Sequence, residues 1–239
     1  MSITLEQVVP WGRSMDEYCH MFALTHDDLK SKILGCGDGP ASFNREMTER
    51  GYHVTSIDPI YRFSAKEIEQ RVRESYRLVV DPLYNNLQNY VWTRFKDPEE
   101  LGAHRLATMQ HFIEDYEEGR QEGRYQEQSV PHLAFADNAF DLALSSHFLF
   151  LYTEQLSYEF HKGAIIELCR VAEEVRIFPL MDLACQRSSY VARLEVDLAE
   201  MDYQVDIQKV PYEFQRDGGE MMCIVKRKGD TYDRCNRQL

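Results

Sequence analysis

Short apolar runs alternate with helical stretches along most of this chain of 239 residues. Between residues 32 and 58 the sequence reads "KILG", "ASFNREMTERG" and "YHVTSID", which is typical of a strand, a helix and a strand. Further strands are predicted at 140–146, 174–180, 203–210 and 221–227, and further helices at 154–172 and 188–201. Strands that alternate with helices pair in parallel, and one core can hold a chain of this size. We therefore expect a single α/β domain over 1–239.

One segment breaks this alternation. Residues 62–124 contain no convincing strand and are rich in Arg, Glu, Gln, Tyr and Leu at helical spacing. Because proline suits the first helical turn and aspartate suits the N-cap, "DPL" at 81–83 and "DPEEL" at 97–101 predict helices that start near 82 and 98, after one that starts near 64. We interpret 62–124 as a helical insertion and a candidate lid, whose last part, "EEGRQEGRYQEQ", is a mobile charged connection.

Two capping boxes precede the first strand. Ser14 with Glu17, and Thr25 with Asp28, have the spacing in which the hydroxyl accepts from an amide and the carboxylate reaches back to the cap. We predict one helix from Ser14 to about Ala23 and a second, short helix that ends where "KIL" begins.

Three glycines stand at alternate positions after the first strand, at Gly35, Gly37 and Gly39. Glycine costs backbone entropy, and what these three provide is an unobstructed backbone against which a ligand can lie. Pro40 opens the next helix, whose first amides are unpaired, and it excludes the G-x-G-x-x-G pattern of dinucleotide enzymes. Asp58, which ends the following strand, can accept hydrogen bonds from ribose hydroxyls. These features indicate a ligand with an adenosine end; the alternative is a glycine-rich turn beside an N-cap aspartate.

Charge and composition disfavour several classes of function. The 40 acidic residues against 27 basic ones give a net charge of −13, which repels phosphate backbones, so nucleic acid is disfavoured as a partner. No apolar run approaches the ~18 residues of a membrane helix, and the start has no leader pattern, so we expect no membrane partner and a cytoplasmic protein. The six cysteines lie far apart with no C-x-x-C pair, so we expect reduced thiols and no metal site.

A resemblance to a known family lies in three stretches. "ILGCGDGPASF" at 33–43, "SIDP" at 56–59 and "HLAFADNAFDLALSSHFLFLY" at 132–152 together resemble the class I S-adenosylmethionine-dependent methyltransferases, especially the branch that reads LPF-x-D-x-x-FD. The resemblance implies a Rossmann-like fold, with a doubly wound, mostly parallel seven-stranded sheet, helices on both faces and a helical insertion after the second strand. It also implies S-adenosylmethionine as the cofactor.

The resemblance further implies how the glycine loop binds this cofactor. Gly35, Gly37 and Gly39 would lie along its methionine and ribose portions, with Asp38 near its amino group. Asp58 would hold both ribose hydroxyls.

The adenine and sulfonium contacts implied by the resemblance lie further along the chain. Pro59 or Ile60 would lie against the adenine ring. Ser129 stands where the family commonly has an acidic residue for the adenine amino group, and its hydroxyl can still accept from that amine. Val130 would offer its backbone N–H to the ring, and Ser145, at the end of the central strand, would face the sulfonium.

Methyl transfer needs no metal and no covalent intermediate, because the sulfonium already makes the methyl carbon electrophilic. An oxygen or a protonated nitrogen acceptor benefits from a general base, and His147, which follows two serines at the end of a strand, is the candidate. The alternative for His147 is a packing or capping role. Tyr152 is a second candidate, and Tyr18 and Trp11 could close over the cofactor, with packing as the alternative for all three.

We predict a methyltransferase that acts on a small molecule or a protein side chain. The alternative is a catalytically silent module that binds the cofactor and regulates a partner through 62–124. Aminopropyl transfer is disfavoured, because it expects paired acids where Ser145 and Ser146 stand. The insertion supplies cationic and aromatic side chains for an anionic or aromatic acceptor: Arg71, Arg73, Arg77, Arg94, Arg105, Tyr76, Tyr84, Tyr90 and Trp92.

Overall fold

The computed structural model describes residues 9–227. The predicted domain spans 1–239, and its residues 1–8 and 228–239, which include Cys235, lie outside the described part. The strands are β1 Ile33–Cys36, β2 Val54–Ile57, β3 Tyr125–Gln126, β4 Phe140–Ser146, β5 Ala172–Phe178, β6 Tyr203–Lys209 and β7 Glu220–Lys226. The α-helices are α1 Met15–Met21, α2 His26–Leu29, α3 Phe43–Glu49, α4 Ala65–Tyr84, α5 Pro98–Gln121, α6 Tyr158–Val171 and α7 Val191–Glu200. Within this described part, no helix has the length and apolar character needed to cross a membrane.

The seven strands form one sheet with the order β3-β2-β1-β4-β5-β7-β6. β1 pairs in parallel with β2 and β4, whereas β7 is antiparallel to both β5 and β6, so the predicted mostly parallel seven-stranded sheet is confirmed. The sequence did not reveal where β3 lies, because an edge strand of two residues has no apolar run. The strand order reverses between β1 and β4, and open α/β sheets bind ligands at the carboxyl ends of strands at such a point.

Helices cover both faces of the sheet. Along β4, Leu142 and Leu144 pack in one core with residues of α1 and α3, whereas Ala143 packs in a second core with residues of α6 and α7. Successive side chains of a strand point to opposite faces, so this alternation puts a helical layer on each side. The doubly wound arrangement expected from the sequence is present.

Residues 62–124 form two long helices and not three. α4 follows its Ser64 cap and α5 follows its Asp97 cap, as the sequence predicts. The predicted helix start near 82 is wrong, because Pro82 lies in the last turn of α4 and Leu83 continues the buried apolar face of that helix. A proline so close to a helix end removes a single backbone hydrogen bond, which the buried apolar face offsets.

The charged end of this segment is not a loose connection. α5 extends to Gln121 and is followed by β3, and Arg124 donates to both carboxylate oxygens of Asp115 at 2.7 and 2.8 Å. The ion pair is mostly buried, so the two charges neutralise each other where the sequence shows only a polar run. α5 also packs on α3 and leads into β3, which makes it the crossover helix between β2 and β3.

A buried ion pair joins α1 to α5. Arg105 donates to both carboxylate oxygens of Glu17, with Nη2 at 2.6 Å from Oε1, and Tyr212 donates to the same oxygen at 2.8 Å. The side chains of Arg105 and Glu17 are each 1% exposed. Glu17 also completes the predicted capping box with Ser14, so one carboxylate closes a helix end and anchors a second helix.

The connection between α4 and α5 is tied to the connection between β6 and β7. The backbone N–H of Val91 donates to the carbonyl of Phe214 at 2.8 Å, and that of Arg216 donates to the carbonyl of Asn89 at 2.8 Å. The rings of Tyr90 and Phe214 stack with centroids 4.8 Å apart. The far end of the helical segment is therefore held against the sheet domain.

Candidate functional site

A large cavity opens at the carboxyl ends of β1, β2 and β4. Its volume is about 920 Å³, and its walls come from the loops after these strands, the segment before α1, the inner side of α4 and the connection between β6 and β7. Most of the predicted site residues line it: Gly37, Asp38, Gly39, Asp58, Pro59, Ser129, Val130 and His147. Ile60, Trp11, Tyr18 and Tyr152 line it too. Gly35 and Ser145 do not.

The glycine loop brings bare backbone to the cavity. Gly37 and Gly39 have φ of +69° and +52°, which side-chain-bearing residues rarely adopt. A Cβ on Gly37 would lie 2.9 Å from the ring of Phe148, another residue of the cavity wall. Glycine is required at position 35 for a different reason: a Cβ there would lie 1.8 Å from a carboxylate oxygen of Asp38. Gly35 therefore makes room for the Asp38 carboxylate, which does line the cavity.

Asp38 is held by two hydroxyl groups. The hydroxyl of Tyr18 donates to Oδ1 at 2.7 Å, and that of Ser56 donates to Oδ2 at 2.6 Å. Burial raises the pKa of Asp38 to about 6, although both hydrogen bonds lower it. An anionic carboxylate at this position suits a cationic ligand group, because a nearby positive charge favours its ionised form.

Asp58 is positioned by backbone amides. Gly39 donates to Oδ2 at 2.9 Å and Ile60 donates to Oδ1 at 2.8 Å, so the side chain joins the glycine loop to the short 3₁₀-helix Pro59–Arg62. Burial raises the pKa of Asp58 to about 6, against the effect of these two hydrogen bonds. Each oxygen keeps a further lone pair that can accept from a ligand hydroxyl.

At the end of β4 the structure brings Ser146, and not Ser145, to the cavity wall. Neighbouring strand residues point to opposite sides, so only one of the two serines can line it. The hydroxyl of Ser145 is buried without a hydrogen-bond partner among the described residues. The Ser146 hydroxyl lies 3.0 Å from Nδ1 of His147 and also points toward Sδ of Met21 at 3.9 Å.

His147 has an unusual backbone and an uncharged ring. Its φ is +51°, a conformation that is uncommon for residues other than glycine and that recurs at functional sites. Burial lowers the pKa of His147 well below its usual value, and the charges of Arg13 and Arg105 lower it further. Within residues 9–227 no group hydrogen-bonds its Nε2. The ring is therefore neutral near pH 7 and keeps one nitrogen available to the cavity.

Arg13 lines the cavity and has no predicted role. Its Nε is buried without a hydrogen-bond partner in the described structure, and burial, followed by the charge of Arg105, lowers its pKa to about 10. Glu17 already forms the ion pair with Arg105, and within residues 9–227 no carboxylate lies within ion-pair distance of Arg13. No local pattern marks Arg13, because its place in the cavity wall depends on contacts with distant residues, such as the hydrogen bond from the N–H of Ser42 to its carbonyl at 3.1 Å.

No cluster of three or more His, Cys, Asp or Glu side chains suited to a metal ion occurs in the part of the chain that the structure describes. The polar residues of the cavity wall include Asp38, Asp58, His147 and Arg13, next to exposed loop backbone. Such a set can bind an organic ligand that carries hydroxyl, ammonium and carboxylate groups.

Comparisons with known proteins give one close relative and several similar folds. No model of a known protein family matches the chain. The chain is 36% identical over 226 residues to the uncharacterized protein MJ0045 of Methanocaldococcus jannaschii, which covers 94% of this chain and 99% of that protein.

Solved structures are similar at lower levels. A magnesium protoporphyrin IX methyltransferase of Synechocystis PCC 6803 with bound SAH is 11% identical, with a TM-score of 0.48 over 89% of this chain and 81% of that chain. A TehB-like SAM-dependent methyltransferase of Corynebacterium glutamicum is 12% identical, with a TM-score of 0.45 over 83% of this chain and 81% of that chain.

Proposed function

This chain belongs to the protein family of MJ0045 from Methanocaldococcus jannaschii, and we propose from its cavity that it is an S-adenosylmethionine-dependent methyltransferase. The observation that carries this proposal is the junction of Gly39 and Asp58, where a loop amide donates to the carboxylate at 2.9 Å. Side-chain-free backbone and a strand-end carboxylate are thereby held side by side, which is the combination that an adenosyl group needs.

The residues present fit this cofactor at each of its polar groups. The ribose hydroxyls match the remaining lone pairs of Asp58, the ammonium matches Asp38, and the carboxylate matches the unpartnered Nε of Arg13. Pro59 and Val130 line the cavity where an adenine ring would lie, near Ser129. When bound, S-adenosylmethionine supplies a sulfonium-activated methyl group.

We assign His147 the role of general base. Oγ of Ser146, 3.0 Å from Nδ1 of His147, can accept from Nδ1–H, and in that tautomer Nε2 carries the lone pair. A neutral imidazole with an available nitrogen can take the proton that an oxygen or nitrogen acceptor loses. The left-handed backbone of His147 supports this role, because strain of this kind collects at functional sites.

The acceptor in this proposal is a small molecule or a protein side chain, and the segment 62–124 acts as a wall or lid over it. Arg71, Leu78 and Leu83 of α4 line the cavity together with the β1 loop residues, which supports this assignment. The acidic charge of −13 weighs against nucleic acid as the acceptor.

Calorimetry with S-adenosylmethionine and its demethylated product tests the cofactor. We expect binding at micromolar concentrations, and no heat with either compound even at millimolar concentrations would contradict the proposal. Transfer of a tritiated methyl group into the small-molecule or protein fraction of a cell extract then tests catalysis. Binding without transfer to either fraction would favour the silent regulatory module.

The affinity for the demethylated product should fall as the pH falls. Asp58 and Asp38 have pKa values raised to about 6, and the proposed contacts use their ionised forms. At pH 5 only about one tenth of each carboxylate is ionised, so we expect binding about tenfold weaker than at pH 7.5 for each carboxylate that the ligand needs ionised, and about 100-fold weaker if it needs both. Calorimetry across this range measures the change, and a flat profile would contradict a role for either carboxylate.

Replacing His147 should affect turnover more than binding. Asn tolerates the left-handed backbone, so His147→Asn removes the base with little strain. We expect turnover to fall about 100-fold or more, with product affinity within about threefold of the unmodified protein. His53→Ala, at an exposed position outside the cavity, is the control. Equal loss of turnover and affinity would indicate a packing role for His147.

A further inference from the structure

One part of the cavity has no role in the proposed cofactor site. It is lined by apolar side chains of the helical segment and of the connection between β6 and β7, and we call it the acceptor compartment: Phe63, Leu78, Leu83, Tyr90, Leu101 and Phe214. Stacking of Tyr90 on Phe214 and the backbone hydrogen bond from Val91 to Phe214 hold its two walls together. A fixed, largely apolar compartment suits a compact ligand with a ring or another apolar body.

Gln215 adds an unsatisfied acceptor to this compartment. Gln215 lines the cavity and is 9% exposed, and its Nε2 donates to the carbonyl of Asp182 at 2.7 Å and to Sγ of Cys185 at 3.4 Å. The carbonyl of Asp182 can only accept, so this contact fixes which end of the amide is the nitrogen. Oε1 is then buried with no hydrogen-bond partner among the described residues. A buried acceptor without a donor is costly, and an O–H or N–H group of a ligand would satisfy it.

Two arginines provide positive charge beside Phe63 in the cavity wall. The guanidinium carbons of Arg62 and Arg71 lie 4.6 and 3.9 Å from the ring centre of Phe63, and both residues line the cavity. Neither arginine is within ion-pair distance of a carboxylate in the described part of the chain. In contrast, Arg73 of α4 pairs with Glu69 at 2.6 Å. Glu74 is the acidic residue of α4 that lines the cavity, so this wall carries two cations and one anion.

We propose that the acceptor is a small molecule with an apolar ring body that carries an anionic group bound by Arg62 and Arg71 and an O–H or N–H donor bound by Gln215. This inference rests on the proposed function, since it names the acceptor class of that enzyme. It selects a small molecule over a protein side chain, because Gln215 is buried beside the stacked rings of Tyr90 and Phe214.

The test uses three related compounds as probes. 3-(4-Hydroxyphenyl)propionate carries the ring, the donor and the anion, 3-phenylpropionate lacks the donor, and 3-(4-hydroxyphenyl)propionamide lacks the charge. Their binding is measured by calorimetry and ligand-observed NMR, with and without the demethylated cofactor. We expect the complete compound to bind with a Kd below about 10 mM, and each of the other two about fivefold or more weakly.

Variants connect each group to its residue. Gln215→Met should abolish the advantage of the hydroxyl compound, and the double variant Arg62→Met/Arg71→Met should abolish the advantage of the carboxylate. The controls Gln126→Met and Arg77→Met, whose side chains do not line the cavity, should change neither. Thermal melting confirms that each variant is folded.

Three results would overturn the inference: no binding of the complete compound, equal binding of all three, or advantages that persist in the Gln215 and arginine variants. The cofactor proposal is judged separately, by the heat of binding of the demethylated product to the same preparations. Ring compounds that bind as expected to a protein that does not bind the cofactor would leave a binding site but exclude the methyltransferase.

Discussion

Asp58→Ala is expected to weaken binding of the demethylated cofactor about 100-fold or more. Hydrogen bonds to a charged group contribute roughly 1.5 to 3 kcal/mol each, and the proposed contacts of Asp58 with the ribose hydroxyls are two such bonds. The loss is expected in affinity and not only in stability, because Asp58 lines the cavity beside Gly39. Calorimetry at pH 7.5, where the carboxylate is ionised, measures the effect.

Asp97→Ala is the matched control for this substitution. Asp97, like Asp58, is an N-cap residue followed by a proline, and its carboxylate accepts from the N–H of Glu100 at 2.8 Å. Both variants should lose about 1 kcal/mol of capping energy, but only Asp58 lies in the cavity wall. If Asp58→Ala binds the product as tightly as Asp97→Ala does, the adenosyl site is not where we propose it.

Glu17→Ala is expected to have the largest effect on stability. It would leave Arg105 buried without its counter-charge and next to the positive charge of Arg13. Breaking one side of a buried ion pair costs about 3 to 5 kcal/mol, which corresponds to a melting temperature roughly 10 °C lower for a domain of this size. Thermal and urea unfolding measure the change. Glu49→Ala, which breaks the more exposed pair of Glu49 with Arg45, should cost about 1 kcal/mol or less.

The effect of Glu17 should also depend on pH. Burial alone would raise the pKa of Glu17, but the charge of Arg105 and hydrogen bonds from His104 and Arg105 hold it well below the usual 4.5. A carboxyl group whose pKa is lower in the folded state stabilises the fold fully above its unfolded pKa and loses this contribution as the pH falls through the folded value. The stability difference between the unmodified protein and Glu17→Ala should therefore be constant near neutral pH and shrink below pH 4.5. A difference that persists unchanged into strong acid would contradict the ion pair.

The layers of the sheet and one half of the candidate site could be predicted because their signals are local. A single strand–helix–strand unit contains Gly37, Asp38, Gly39 and Asp58. Where the backbone must be free of side chains, the sequence has glycine, so this requirement can be recognised from the sequence. The errors fall where local signals are ambiguous. A proline that marks a helix start also fits a last helical turn, as Pro82 does.

The other half of the site depends on contacts between distant segments. The choice between Ser145 and Ser146 follows from the direction in which each side chain leaves the end of β4, which two adjacent serines do not reveal. Glu17 takes part in both a local and a long-range interaction. Its capping box can be predicted from the neighbouring residues, whereas its ion pair involves Arg105, 88 positions away. Arg13 and Gln215 meet in one cavity from opposite ends of the chain. Backbone geometry within one unit leaves a pattern in neighbouring residues, but the packing of remote side chains leaves none. The glycine-loop part of the cavity could therefore be predicted from the amino acids, whereas the places of Arg13, Ser146 and Gln215 in its wall were decided only by the folded chain.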